Sequence, residues 1–273
     1  MEGALAMPEG DSVFQVAQRL QEALAGRPLT LSDLRVPAYA TADLTGRSVL
    51  EVVPRGKHLL TRVEGGLTLH THLRMDGRWR VYQAGEPWRG GPDWQVRAVL
   101  GNADATAVGY RLPVVELLRT AEEGLAVGHL GPDLLGPDWD PQEALRRLTS
   151  QPDRSLALAL LDQRNLAGIG NVYANELCFL ARVTPWTQVA LTPDLERLVG
   201  LAHRLLMVNR LRSGRVTTGD SGADRRQWVY GRARQPCRRC GTRIRTSSIG
   251  APPQQRVVYW CPSCQSGPQQ SHS

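Results

Sequence analysis

Four cysteines near the end of the chain, spaced Cys237-x2-Cys240-x20-Cys261-x2-Cys264, constrain its architecture more than any other feature. Each pair brackets a short turn, Cys-Arg-Arg-Cys-Gly and Cys-Pro-Ser-Cys, so that two thiolates from each can converge on one tetrahedral ion. Four thiolates leave no open coordination position, so the expected ion is a single structural Zn2+. The segment is too small to build a core, and metal binding would supply much of its folding free energy. Between the pairs, residues 242–245 and 256–260 read as a two-stranded ribbon. Cys178, the fifth cysteine, stands alone in an apolar helical stretch. Thiols in this pattern describe a metal site in a reducing compartment, not a disulfide framework, and point to the cytoplasm.

With 273 residues the chain can hold two modest domains. The net charge of +7, carried mostly by arginine, implies a polyanionic partner more than it implies a fold. An acidic-lipid surface is the second candidate, but no 18-residue apolar run and no basic amphipathic helix supports it, and no membrane partner is expected. No signal peptide is visible, and a monomer without a small-molecule cofactor is expected.

The periodicity changes along the chain. Asp11 or Ser12 is expected to cap a helix running to about Ala25, with Gly26 as its stop. From residue 28 to about 119 the pattern moves toward a period of two. Residues 48–53, 58–63, 67–73, 79–82, 95–100 and 105–111 read as strands of a β-sandwich, and 83–92 as a loop. A Pro/Gly-rich boundary follows at 130–140. Beyond it Asp140-Pro141-Gln142-Glu143 opens a helix with a cap, a first-turn proline and a capping box. Further helices are expected at 155–163, 172–182 and 192–211. From Gln265 the composition turns polar, as in a tail.

Several short motifs carry chemistry. In Met7-Pro8-Glu9-Gly10, removal of the methionine would leave proline as a terminal secondary amine. Such an amine is partly unprotonated near neutral pH and can form an iminium with a sugar carbon. Glu9 could then shuttle protons. This requires Met7 to be the working start, because Met1–Ala6 upstream would convert the proline nitrogen to an amide. Read alone, the motif is also an ordinary helix opening. Gly168 and Gly170, in Leu-Ala-Gly-Ile-Gly-Asn-Val, permit close backbone approach before a helix start, where amides and Asn171 could hold a phosphate; a plain helix cap is the alternative. Arg55-Gly56-Lys57 is a basic turn. His70 and His72 share a strand face, with packing or phosphate contact as their roles, and Met75 is either a gap-filler or a wedge for a vacated base position.

Together these pieces resemble the formamidopyrimidine-DNA glycosylase/endonuclease VIII family of base-excision enzymes. The matching residues are Met7-Pro8-Glu9-Gly10, Arg55-Gly56-Lys57, His72-Leu73-Arg74-Met75-Asp76-Gly77, the stretch 160–176, and Tyr230-Gly231-Arg232 leading into the cysteines. The resemblance implies an α+β multidomain chain. Its parts would be a catalytic β-sandwich domain with a leading helix (8–130), a helix-two-turn-helix DNA-binding domain (131–229), a zinc-finger β-hairpin (230–267) and a disordered tail (268–273). It implies Pro8 as Schiff-base nucleophile and Glu9 as acid/base. Lys57, Asn171 and Arg256 would grip phosphates around an everted nucleotide in damaged double-stranded DNA, with His72, Met75, Gly168 and Gly170 beside them.

The departures are specific. Asp11-Ser12 stands where the family commonly has Pro-Glu, and Tyr110-Arg111-Leu112-Pro113 where an Arg-x-Phe-Gly wedge is usual. Gly10 and the short connection at 212–228 favour the endonuclease VIII branch. The expected function is a bifunctional glycosylase/apurinic-apyrimidinic lyase acting on oxidised pyrimidines. A purine-directed enzyme, an inactive damage-binding protein of the same fold, and a zinc-ribbon docking module are the alternatives.

Overall fold

A computed structural model describes residues 8–268. The motif residue Met7, the six residues before it and residues 269–273 of the expected tail lie outside the described residues. The chain divides into two compact units that meet at His129–Leu130.

The first unit opens with α1 (Gly10–Leu24). Its cap is Glu9, not Asp11 or Ser12: the Glu9 backbone N–H donates to Ser12 Oγ at 2.9 Å. Ser12 is thus the third residue of the helix and completes the start from inside. Val13, Ala17, Leu20 and Leu24 form one buried stripe, and Gly26 follows with φ +76, the left-handed conformation that ends a helix cheaply.

Eight strands then form two antiparallel sheets. One has the order β1-β6-β7-β5, with β1 Leu31–Leu34, β5 Arg78–Gln83, β6 Val96–Gly101 and β7 Ala105–Tyr110. The other has the order β2-β3-β4-β8, with β2 Val49–Arg55, β3 His58–Val63, β4 Leu67–His72 and β8 Val114–Arg119. The inner faces share a core with α1, including Val52, Leu59, Leu69, Leu100 and Ala107. Burying each such aliphatic side chain is worth about 1.5–3 kcal/mol, which holds the sheets face to face. The connection 84–95 lies over the outer face of the first sheet, where Trp88 packs on a small cluster with Tyr82 and Tyr110. β1 and β8 escape the period-two reading because each buries one side chain only. A short helix, α2 (Glu123–Val127), closes the unit.

The second unit is helical, with α3 (Pro141–Thr149), α4 (Leu156–Leu161), α5 (Asn171–Leu180) and α6 (Leu195–Asn209). Asp140 caps α3, accepting from the amides of Gln142 and Glu143, but the Glu143 carboxylate turns to Arg146 and Arg147 instead of closing the expected capping box. α5 is buried on every side from Asn171 to Phe179, so it is the central element of this unit. A hairpin, β9 (Arg245–Ile249) with β10 (Arg256–Trp260), shares the helical core through Ile249 and Val258. Its first strand begins at Arg245, where the ribbon reading had it end. Gln265 does not open a tail. It is buried, accepts from the Cys261 amide at 2.8 Å and donates to the Val183 carbonyl at 2.7 Å.

Candidate functional site

At one end of the sandwich several of the motif residues converge. Arg55 pairs with His58, His58 with His72, and His72 with Val114, so four strands present these positions along one edge. The β2–β3 turn is the two residues Gly56-Lys57, with Gly56 at φ +57 in the first central position that such hairpins reserve for glycine. Lys57 therefore stands at a rigid hairpin tip. It is also the only lysine in the sequence.

The corner from β4 to β5 starts at the same edge. Gly77 donates to the Leu73 carbonyl at 2.8 Å, and a Cβ on Gly77 would come within 2.6 Å of that oxygen, so only glycine closes the turn. Leu73 points into the core while Met75 is 55% exposed, which removes the gap-filler reading of Met75. Beside it runs the β7–β8 corner, because Arg78 pairs with Tyr110 and His72 with Val114. Arg74 and Arg111, one on each corner, both adopt left-handed backbone (φ +45 and +48). Strain of this kind in non-glycine residues costs of order 1 kcal/mol and gathers at sites of function. Arg111 is exposed, and no periodicity signal marks it.

The start of α1 reaches the same end. Gln21 Oε1 accepts from the Val52 amide at 2.5 Å, and Ala25 bridges Val49, so α1 runs antiparallel to β2. From Gln21 back to Glu9 the helix covers about 18 Å at its standard rise. A strand spans that distance in about five to six residues, which brings Glu9 level with the Gly56-Lys57 tip. Glu9 is fully buried there, and Pro8 precedes it at intermediate exposure.

Four of the six histidines gather on the outer face of the second sheet. His58 Nδ1 lies 2.8 Å from His70 Nε2, and His70 Nδ1 lies 2.8 Å from Glu116 Oε2. His58 meets His72 edge-on at 4.8 Å and His129 at 6.1 Å between ring centroids. His72 Nδ1 accepts the Arg74 amide at 2.9 Å, leaving its Nε2 as the protonated nitrogen. Burial, then the charges of neighbouring histidines and Lys57, pushes His58 down to about 3. Burial, Lys57 and Arg74 push His72 down to about 4. Sequence reasoning found His70 and His72 on one face but not their partners, since Glu116 lies on the unanticipated β8.

These shifts predict an acid-labile fold. Both rings stay neutral in the native state well below 6.5, whereas the unfolded chain protonates them there. The unfolded state then binds more protons between about pH 6.5 and 4, so stability falls as pH falls through that window, by at most about 1.4 kcal/mol per unit and ring. Thermal melts from pH 7.5 to 4.5 should show the decline, and His58→Gln should flatten it; an unchanged slope would refute the assignment.

In the second unit, Asn171 and Arg256 are brought together. The Asn171 side chain donates to the Val257 carbonyl at 2.9 Å, next to Arg256 on β10, and Asn175 accepts the Tyr259 amide at 2.6 Å. Arg256 is exposed. Gly168 has φ +105, and Gly170 is the residue before α5, so the glycine turn forms as the spacing predicts. The Gly168 amide is not open to an anion, however: it donates to Gln163 Oε1 at 3.1 Å.

Glu176 on α5 is a residue whose role sequence reasoning missed. It is fully buried and accepts the amides of Trp228, Val229 and Tyr230 at 2.8–2.9 Å, together with the Thr217 hydroxyl. Burial pushes its carboxyl up, and these four donors oppose that.

Cys237, Cys240, Cys261 and Cys264 form a cluster whose sulfur atoms all lie within 4.8 Å of one another. Cys237 and Cys264 are 3.9 Å apart and Cys240 and Cys261 3.4 Å. A tetrahedron with metal–sulfur bonds of about 2.3 Å has edges of about 3.8 Å, so the four thiols fit one metal ion and are too far apart for disulfides. Among the described residues this is the only such cluster, and His70 and His72 do not form another. No helix among the described residues is long and apolar enough to cross a membrane.

Residues 7–111 match the formamidopyrimidine-DNA glycosylase N-terminal domain, and residues 130–209 the H2TH domain of the same enzymes. The chain is 64% identical to a probable endonuclease 8 2 of Streptomyces coelicolor, over 96% of this chain and 95% of that one. It is 50% identical to the DNA-(apurinic or apyrimidinic site) lyase Nei2 of Mycolicibacterium smegmatis, covering 95% and 99%. Identity to an Escherichia coli endonuclease 8 is 35%, covering 95% and 100%. The fold matches a Lactococcus lactis Fpg crystallised with abasic-site DNA, with a TM-score of 0.78, 22% identity, and coverage of 95% and 100%.

Proposed function

The chain belongs to the formamidopyrimidine-DNA glycosylase/endonuclease VIII family, and from that premise we propose that it is a bifunctional DNA glycosylase and abasic-site lyase of base excision repair, acting on oxidised pyrimidines. The convergence of the α1 start, the Lys57 hairpin tip and the His72–Met75 corner at one end of the sandwich carries this reading. The family match beginning at Met7 supports a working start there, with Pro8 as the terminal secondary amine.

In this reading the Pro8 nitrogen attacks C1′ of an extruded nucleotide, the C1′–base bond breaks, and an iminium forms. Glu9, fixed at the helix start, moves protons as the base leaves and the sugar opens. β,δ-Elimination then cleaves the strand on both sides of the lesion. Lys57 and the Nε2–H of His72 hold phosphates in the first unit, and Asn171 and Arg256 hold phosphates in the second. Met75, exposed on its closed corner, fills the space the base vacates. The four cysteines hold one structural Zn2+, which has no part in the chemistry. The protein acts as a monomer on damaged duplex DNA in the cytoplasm.

The solitary lysine makes the test sharp. A chain beginning at Pro8 has two amines, the terminal nitrogen and Lys57 Nζ. Borohydride trapping on an abasic-site duplex should give a covalent adduct that survives Lys57→Arg and vanishes in the chain retaining Met1–Met7, whose Pro8 nitrogen is an amide. An adduct lost in Lys57→Arg would move the nucleophile to Lys57. No adduct with DNA still bound would leave a damage-binding protein.

A further inference from the structure

We propose that Glu116, His70 and His58 form a proton relay between solvent and the reacting end of the sandwich, serving the elimination step of the activity proposed above. The geometry is continuous. The Glu116 side chain is 46% exposed, that of His70 is 4% exposed, and His58 follows Lys57 directly at the site edge. Protein occludes the middle of the chain, its Glu116 end reaches solvent, and its His58 end lies against His72 and His129 beside the Lys57 tip. A DNA duplex covering the site would leave the Glu116 end as the route by which protons exchange with water.

The hydrogen bonds fix the sense of the relay. A carboxylate only accepts, so His70 Nδ1 carries the proton in its 2.8 Å contact with Glu116. Neutral His70 then accepts at Nε2, which makes His58 Nδ1 the donor across 2.8 Å and His58 Nε2 the basic nitrogen. When His58 Nε2 takes a proton, an N–H bond forms there and the His58 Nδ1–H bond breaks. That proton bonds to His70 Nε2, and His70 becomes an imidazolium beside the Glu116 carboxylate. The His70 Nδ1–H bond then breaks as its proton bonds to Glu116 Oε2, and the Glu116 carboxyl releases that proton to water, which leaves His70 neutral and Glu116 a carboxylate again. The arrangement repeats the logic by which a carboxylate orients a catalytic imidazole and stabilises its charged form.

Lys57 at the hairpin tip, Arg74 after β4, and His72 and His129 all face His58 or His72 and oppose charge there. Along the same face Arg62 is already neutralised by Glu51 and Glu123, and does not compete for Glu116. His58, His70 and Glu116 are positioning residues in this scheme, acting through the groups that touch DNA.

The test uses full-length, metal-loaded protein beginning at Pro8. Imidazole nitrogen NMR of the free protein should show Nδ1–H tautomers for both His58 and His70 and a single proton uptake that moves both rings. Independent titration, or an Nε2–H tautomer at His70, would overturn the relay whatever the enzyme does. In single-turnover assays, Glu116→Gln should slow strand cleavage at least about tenfold, the lower edge of acid–base contributions, and shift its pH profile, while the yield of trapped adduct holds. Glu116→Asp should restore most of the rate. Equal loss of trapping and cleavage, with an unmoved pH profile, would reduce Glu116 to a structural role. Failure of wild-type trapping would instead sink the lyase reading and leave the NMR result standing.

Discussion

Stripping the metal from the four cysteines should collapse the turns that hold them and cost at least tenfold in affinity for abasic-site DNA. The local core explains why. Around the cysteines the buried apolar side chains are few, chiefly Phe179, Val229 and Ile244, too small a cluster to order the segment by itself. Structural zinc contributes about 10–16 kcal/mol of apparent binding free energy in isolated fingers, and that energy is folding energy. Here β10 is also fastened to α5 by the Asn171 and Asn175 side chains and to the helical core by Val258. The loss should therefore spread from residues 237–241 and 261–265 into the hairpin without unfolding α5. Arg256 would then lose its fixed position, and a charge-assisted contact is worth about 1.5–3 kcal/mol. Chelation and Cys261→Ser should each lower the melting temperature and weaken binding in fluorescence anisotropy, with one zinc released per chain. Metal-free protein that binds DNA normally would refute both the metal's role and the placement of Arg256.

Much of this was legible in the residues, and the unreadable part has a common cause. The cysteine spacing and the Asp140 cap are local signals, and both appear where the spacing puts them. The cap of α1 was misplaced because Asp11 and Ser12 are stronger capping types than Glu9, yet Ser12 serves from the third helical position. Strands β1 and β8 carry little alternation, since each buries one side chain against the core. Missing β8 hid Glu116, and with it the partner of His70. The carboxylate of Glu176 was invisible for a different reason: its ligands are backbone amides more than fifty residues away, which no side-chain pattern records. That Lys57 is the single lysine among 33 basic residues is a signal the residues carry and the motif reading passed over.

Glu176→Ala is expected to destabilise the protein by at least about 3 kcal/mol, because three backbone N–H groups lose their acceptor at once. Each buried donor left unsatisfied costs about 1–3 kcal/mol, and the fully buried pocket admits no ready replacement. Alanine also leaves the Thr217 hydroxyl with the Arg226 carbonyl and without its tie to α5, so both the segment near 217 and that at 228–230 come loose from α5. Val229 packs with Cys237 and Cys261, and Arg232 donates to the Trp228 carbonyl at 2.6 Å. The carboxylate thus ties the central helix to the strand of chain that leads into the metal site. Glu176→Gln should recover only part of the loss, since one amide oxygen can accept where two carboxylate oxygens did, and its NH2 would face donors. Urea melts should show the order wild type, Gln, Ala. Native-state hydrogen exchange should accelerate first at the amides of residues 228–230. Protection there unchanged in Glu176→Ala would mean that the segment is held by the metal site alone, and that the buried carboxylate is not its anchor.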